Sequence, residues 1–337
     1  MEQIKTHLVA NLRKILDAPQ TTELQYTGFM PRDEEKAKSA WKGNEDLYEE
    51  FCQNVIDFTN SDGWQKWLEF HRRGFWPYSF TNSVLALVQR PDAIMLNSAK
   101  RWETLGREVK ADAKPIKIWV PFKKKIEKPD PEHPDDVIVE SKVTGFFLAN
   151  VFDVSDTVGE ELPVVAHPLQ GAAPDNMLQG LLRVADDLGF KVITATKAHL
   201  GSANGDCSHQ QKTIRLRDDL EPAMRVKTLS HELAHASMHA GVSGYRADRE
   251  LCEQEAESVA YLVCASMDLS TEAYSLGYVA HWMTGGERLS DEVILKRMKA
   301  QGDRVVGTAR NLISGLEAYI KSAAHQALSE ESPAVML

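Results

Sequence analysis

Five consecutive residues, His231-Glu232-Leu233-Ala234-His235, restrict this 337-residue chain more than any other stretch. Two imidazoles four residues apart share a face only on a helix, where both can grip one metal ion. Glu232 then lies about 100° round the helix, near a water on that metal without ligating the metal itself. Val226, Leu229, Leu233, Ala236 and Ala240 form a separate apolar stripe, and Gly241 is a natural stop. The spacing therefore predicts a helix over about residues 221–240 whose metal pair faces away from its core stripe.

A third ligand is expected on the next helix, predicted over about 249–267. Its acid-rich run ELCEQEAESVAYLV spans residues 250–263. Zinc hydrolases with a glutamate as third ligand carry it on the helix after the motif, with an acidic partner four residues on. Glu253 and Glu257 satisfy that spacing: Glu253 would ligate, and Glu257 would hydrogen-bond the outer nitrogen of a metal histidine. Glu250 and Glu255 compete for the role, and a solvated acidic face is the plain alternative. His239 continues the histidine face as an outer partner or alternative ligand, while Cys252 points toward the core. Met238 stands where the elongated HExxHxxGxxH motif has its glycine. Two histidines and one glutamate leave a fourth position open, so the expected cofactor is one catalytic Zn2+. Glu232 is then the general base for peptide-bond hydrolysis. The strand predicted at Lys212–Leu216 could take an extended peptide at its edge. Tyr245, Tyr278 and His281 are candidates for stabilising the oxyanion. The protein substrate or partner is not identified.

Net charge is −10, from 49 acids against 39 bases, which argues against a wholly basic nucleic-acid binder. The average conceals an asymmetry. From Trp64 to Lys128 there are 14 Lys/Arg against 6 Asp/Glu, a local +8. This segment interleaves its bases with Trp64, Trp67, Phe70, Phe75, Trp76, Tyr78, Phe80 and Trp102, the composition of a single-strand-binding surface. Arg72, Arg73, Arg90, Lys100, Arg101, Arg107 and Lys110 are its candidate phosphate contacts. Lys123, Lys124 and Lys125 would add a clamp at a hairpin tip. The alternative is that the aromatics are core and the bases a solvated rim.

Organisation follows from patterning. Residues 1–110 read as mainly helical, with Leu47, Phe51, Val55 and Phe58 on one face. Strands are expected over Ile116–Val120 and Val143–Phe152, joined by the charged, Pro-rich KKKIEKPDPEHPDD as an exposed tip. Residues 159–175 are rich in Gly and Pro and read as a linker. The expected division is a DNA-binding domain at 1–158, that linker, a metallopeptidase-like domain at 176–326, and a tail at 327–337. No apolar run is long enough to span a membrane. Four cysteines make no disulfide framework, and the N-terminus lacks a signal-peptide pattern, so the expected location is the cytoplasm.

The residues also resemble known families. Tyr78-Ser79, Asn82, Gln89-x-Pro91, Trp102 with Leu105-Gly106-Arg107, and Phe152-Asp153-Val154 with Thr157 resemble the N-terminal domain of ArdC-type antirestriction proteins. Residues 175–325 are similar to the ImmA/IrrE family of zinc peptidases through HELAH, through Glu253, Ala256 and Glu257, and through Tyr278 and Trp282. The resemblance implies an α+β chain: an N-terminal helical domain with a small antiparallel sheet, then a mostly helical, zincin-like metallopeptidase domain. It also implies single-stranded-DNA binding, with Tyr78, Asn82 and Trp102 among the contacts, and antirestriction carried on a plasmid or phage. A protein that shields DNA by binding alone, with a structural or proteolytically silent zinc, is the competing expectation.

Overall fold

The N-terminal half begins with three helices that bury Phe51, Trp64, Trp67, Phe70 and Phe80. In the computed structural model, which describes residues 41–58, 63–75, 77–129, 137–160, 174–240, 249–269 and 290–330, these are α1 (Glu45–Asp57), α2 (Gly63–His71) and α3 (Phe80–Gln89). Helix α1 buries Phe51 and Val55, as the periodicity predicts. Ser79 caps α3 by accepting a hydrogen bond from the Asn82 amide. Every residue of α3 from Phe80 to Ala86 is buried, so this helix is packed on all sides.

One of those sides is a sheet edge. After β1 (Leu96–Asn97), α4 (Ala99–Thr104) and β2 (Arg107–Val109), the chain forms the long antiparallel pair β3 (Ile116–Pro129) and β4 (Val137–Asp153). The strand order β1-β4-β3 leaves β3 at an edge. Asn82 and Gln89, seven residues apart on α3, cover that edge with their amides. Asn82 Nδ2 donates to the Trp119 carbonyl (2.9 Å), and Asn82 Oδ1 accepts from the Trp119 N–H (2.8 Å). Gln89 repeats the pattern at Lys117, with both bonds at 2.9 Å. Backbone groups that would be orphaned inside the core are thereby paired.

The hairpin is longer than its apolar residues suggest. Lys123–Pro129 belong to β3, and Val137–Lys142 to β4, so the Lys123–Lys125 run lies along the arm rather than at its tip. Ladder pairing extends through a charged stretch that reads as loop. Near the arm's base, Asp153 accepts from the amides of Ile94 (2.8 Å), Met95 (3.0 Å) and Ser155 (3.0 Å). Burial opposes ionisation of Asp153, but these bonds and the Ser155 hydroxyl outweigh it and hold the pKa below the usual range. Strand β5 (Thr157–Gly159) pairs with β2 to finish this half.

The second half supplies α5 (Pro174–Asp187), β6 (Lys191–Ala195), the short α6 (Lys197–Leu200), β7 (Gly205–Ser208), β8 (Thr213–Arg217), α7 (Pro222–Met238), α8 (Arg249–Ser266) and α9 (Asp291–Glu330). The sheet order is β6-β8-β7, with β6 parallel and β7 antiparallel to β8. The strand expected at Lys212–Leu216 is thus the central one rather than an edge; the edges are β6 and β7. The sequence Gly205-Asp206-Cys207-Ser208 has no apolar alternation, and only its pairing with β8 makes it a strand.

Helix α9 runs 40 residues, about 60 Å, and touches α1 and α3 as well as α5, α7 and α8. One apolar cluster therefore includes Trp64, Trp67 and Phe80 together with Leu229, Val259, Val305 and Leu316. Polar contacts join the same elements. Trp64 Nε1 donates to Ser258 Oγ (3.0 Å) in the interior, and Arg310 donates to the Tyr78 carbonyl (3.0 Å). Gly302 permits the approach of α9 to α3, since a Cβ there would sit 2.1 Å from the Phe80 ring. Gly302→Ala is expected to destabilise the chain. Overpacking costs roughly 1–3 kcal/mol, against about 1 kcal/mol recovered in helix propensity. Urea unfolding of the two proteins measures the balance, and a more stable variant would show that the interface yields.

Candidate metal centre

Helix α7 presents the two histidines, and α8, packed against it, brings Glu253 to them. His231 Nε2 and His235 Nε2 are 3.1 Å apart; Glu253 Oε2 lies 3.3 Å from the first and 3.6 Å from the second. A tetrahedral ion with bonds of 2.0–2.2 Å requires ligand separations of roughly 3.3–3.6 Å. Two imidazole nitrogens and a carboxylate at these distances fit a divalent cation. Glu250 is exposed at the start of α8 and is not one of the three. The two histidines hold the Glu253 carboxyl well below the ordinary carboxylate range, against the effect of its burial.

Each histidine is anchored on its far side. His231 Nδ1 lies 3.1 Å from Glu257 Oε2, and Lys227 Nζ is 2.9 Å from the other oxygen of that carboxylate. Burial pulls His231 down, but Glu253 and Glu257 outweigh it and raise its pKa to about 9. His235 Nδ1 lies 2.8 Å from His239 Nδ1, and His239 Nε2 lies 3.1 Å from Glu255 Oε2. Arg304 of α9 closes the chain by donating to Glu255 Oε1 through Nε (3.1 Å) and through its terminal nitrogen. One proton arrangement satisfies every link. His235 Nδ1–H donates to His239 Nδ1, and His239 Nε2–H donates to Glu255. That arrangement leaves His235 Nε2 as a lone pair facing the ligand triangle. His239 and Glu255 are almost fully buried, while Arg304 at the end of the network is half-exposed. Sequence spacing weighs Glu255 only as a competing ligand and offers no sign of Arg304, because α9 meets α8 only through tertiary packing.

Glu232 is buried beside the triangle, only 6% exposed. Burial is the main influence and raises its pKa to about 7; His231 opposes the shift, while Glu253 and Asp206 add to it. A cavity of about 850 Å³ opens over the site. It is lined by Gly205, Asp206 and Cys207 of β7, by His209, and by Arg249 at the start of α8. At Gly205 a side chain would collide with the site, since a Cβ would lie 2.8 Å from Thr228 Cγ2 and 3.2 Å from Glu232 Cγ. Burial of Cys252 agrees with its expected core position. Tyr245, Tyr278, His281 and Trp282 lie outside the described residues.

The candidate DNA contacts are placed unevenly. Trp64, Trp67, Phe70, Phe75, Phe80 and Trp102 are all buried, and Trp76 lies outside the described residues. Asn82 is committed to Trp119, Trp102 Nε1 donates to the Phe152 carbonyl (2.9 Å), and Tyr78 Oη donates to the Leu96 carbonyl (2.6 Å). Arg90 is bound to Asp156 and Ser155, and Arg107 to Thr157. Arg73 reaches the Pro91 carbonyl and Lys110 the Ser155 carbonyl. Arg72, Lys100, Lys123, Lys124 and Lys125 are exposed, and Arg101 is half-buried.

Comparison with known proteins bears on both halves. Residues 185–278 match the Peptidase_M78 family model, the IrrE N-terminal-like domain, which includes α7 and α8. An uncharacterized Bacillus anthracis protein, pXO2-81, is 23% identical over 88% of this chain. The chain spans about half, 55%, of that relative's length. Among solved structures, the antirestriction protein ArdC from plasmid R388 in its metal-free form is 18% identical, with a TM-score of 0.42. That comparison covers 73% of this chain and 86% of ArdC. The Mn(II)-bound form of ArdC is 19% identical, with a TM-score of 0.37, over 70% and 89% of the two chains. Over residues 185–278 the chain is thus similar to the IrrE N-terminal-like domain that the Peptidase_M78 family model describes.

Proposed function

We propose that this chain is an antirestriction protein that pairs a zinc-dependent peptidase site with a surface for single-stranded DNA, protecting incoming mobile-element DNA. In this reading residues 1–158 handle DNA, 159–175 link, and 176–326 hold the peptidase. The carrying observation is the triangle of His231, His235 and Glu253 with the buried carboxyl of Glu232 beside it. Two imidazoles and one carboxylate suit zinc and leave a coordination position open, whereas structural zinc sites are closed by four protein ligands. When bound, the cation supplies Lewis acidity at that position.

The chain's own residues account for the remaining steps. Glu232, with its pKa near 7, can accept a proton from the attacking water and return it to the leaving amine at neutral pH. Lys227–Glu257 and Arg304–Glu255–His239 hold the two imidazoles in the ligating tautomer. The edge strand β7 offers its backbone to an extended peptide, and Gly205 lets that strand pack close against Thr228 and Glu232 of α7. Exposed cations of the locally basic segment support DNA binding by the N-terminal half.

Glu232→Gln tests the peptidase reading. The variant is expected to keep its metal and its melting temperature while losing peptide cleavage by roughly 10²–10⁴-fold. Cleavage at the wild-type rate would refute the role of Glu232. Manganese serves as the competing cation in this assay, since ArdC has a Mn(II)-bound form. Protection of DNA by a wild-type protein that loads metal but cleaves no protein would favour a binding scaffold instead.

A further inference from the structure

The β3–β4 arm leaves the core carrying an apolar stripe that continues into solvent. On the face that begins with buried Ile116, Ile118 and Val151, the next large side chains outward are Phe122 and Phe147, which are 60% and 48% exposed. Val120 pairs with Phe147 and Phe122 with Gly145, so both rings stand on one face as diagonal neighbours. Gly145 leaves the space opposite Phe122 open, since a Cβ there would meet nothing within 4 Å. Immediately outward, Lys124 pairs directly with Lys142, and Lys123 and Lys125 flank the pair. All four lysines are exposed, and none makes an ion pair with a described residue. Like charges directly opposite one another destabilise a ladder, and exposed phenyl rings gain nothing from water.

From this juxtaposition we infer that the arm is the seat of a single-stranded nucleic acid, with bases stacked on Phe122 and Phe147 and phosphates held by Lys124 and Lys142 on the same face. The inference rests on the proposed DNA-binding reading and moves its stacking surface. Trp64, Trp67 and Trp102, which suggested stacking, are core residues, whereas the two arm phenylalanines present open faces. A polyanion relieves the Lys124–Lys142 repulsion, which an apolar protein segment would not. A duplex hides its base faces from the rings, so a single strand is the occupant that uses both features.

The test uses the full chain, a fluorescent oligothymidine and a matched duplex, with anisotropy read over a salt series. Phe122→Ala/Phe147→Ala is expected to weaken single-strand binding at least tenfold while leaving the salt slope unchanged. Lys124→Ala/Lys142→Ala is expected to reduce the slope by about 1.4, roughly 0.7 per lost contact. All four positions are exposed, so both double variants should melt like the wild type. Wild-type binding that both variants retain in full would overturn the arm assignment alone and leave the DNA-binding reading standing. A wild type that binds no single strand would overturn both. Loss of concentration-dependent self-association, rather than of DNA binding, in the phenylalanine variant would assign the face to a second copy of the chain.

Discussion

Replacing Glu253 by Ala is expected to lower zinc affinity by more than the 10- to 100-fold that loss of an outer hydrogen-bonding partner costs. The geometry sets a ranking among the four glutamates of α8. Glu253 supplies an oxygen within 3.6 Å of both histidine nitrogens, so its removal takes away a ligand. Glu255→Gln and Glu257→Gln keep the ligands but weaken the anchors of His239 and His231, and each should cost about 10- to 100-fold. Glu250→Ala should change nothing, since that side chain is exposed and outside the cluster. Competition titration with a chromophoric chelator measures all four. A Glu250 effect as large as that of Glu253 would show that the ligand set is wrong.

Asn82→Ala is expected to cost about 2–5 kcal/mol of stability. It strands two buried backbone groups of Trp119, each worth roughly 1–3 kcal/mol when left unpaired. Asn82 itself is fully buried, so no water can substitute without rearrangement. Chemical denaturation reads the cost directly. Any loss of DNA binding in this variant should follow the loss of fold, appearing only as the population unfolds. A fully stable variant with weakened DNA binding would return Asn82 to the interface.

These two residues also mark how far the sequence alone could be read. The metal motif is legible because a helix repeats every 3.6 residues: His231 and His235 share a face by construction, and Glu253 with Glu257 repeats the device. Helices α7 and α8 fall close to their expected bounds for the same reason. The partner of His239 is less legible, since Glu255 lies 16 residues away and Arg304 another 49, and only tertiary packing joins them. Strand β7 is hidden because its four residues pair with β8 without any apolar signature. In the N-terminal half, the residues that carry the family resemblance turn out to hold the scaffold. Asn82 and Gln89 seal a sheet edge, Trp102 fills the core, and Asp153 gathers three amides. Composition registered the tryptophans and the bases together, but it cannot tell a ring inside the core from one facing solvent.

The arm shows the converse. The sequence places its lysines at an exposed hairpin tip, yet ladder pairing stretches them along a strand pair beside two exposed phenyl rings. Charge and pairing together therefore say more about this segment than its proline content does.

An X-ray structure of the zinc-loaded chain, with anomalous scattering measured at the zinc edge, tests the central claim most directly. The account predicts one ion per chain, about 2.0–2.2 Å from His231 Nε2, His235 Nε2 and a Glu253 oxygen, with no fourth protein ligand. An ion held elsewhere, or one closed off by a fourth side chain, would contradict it.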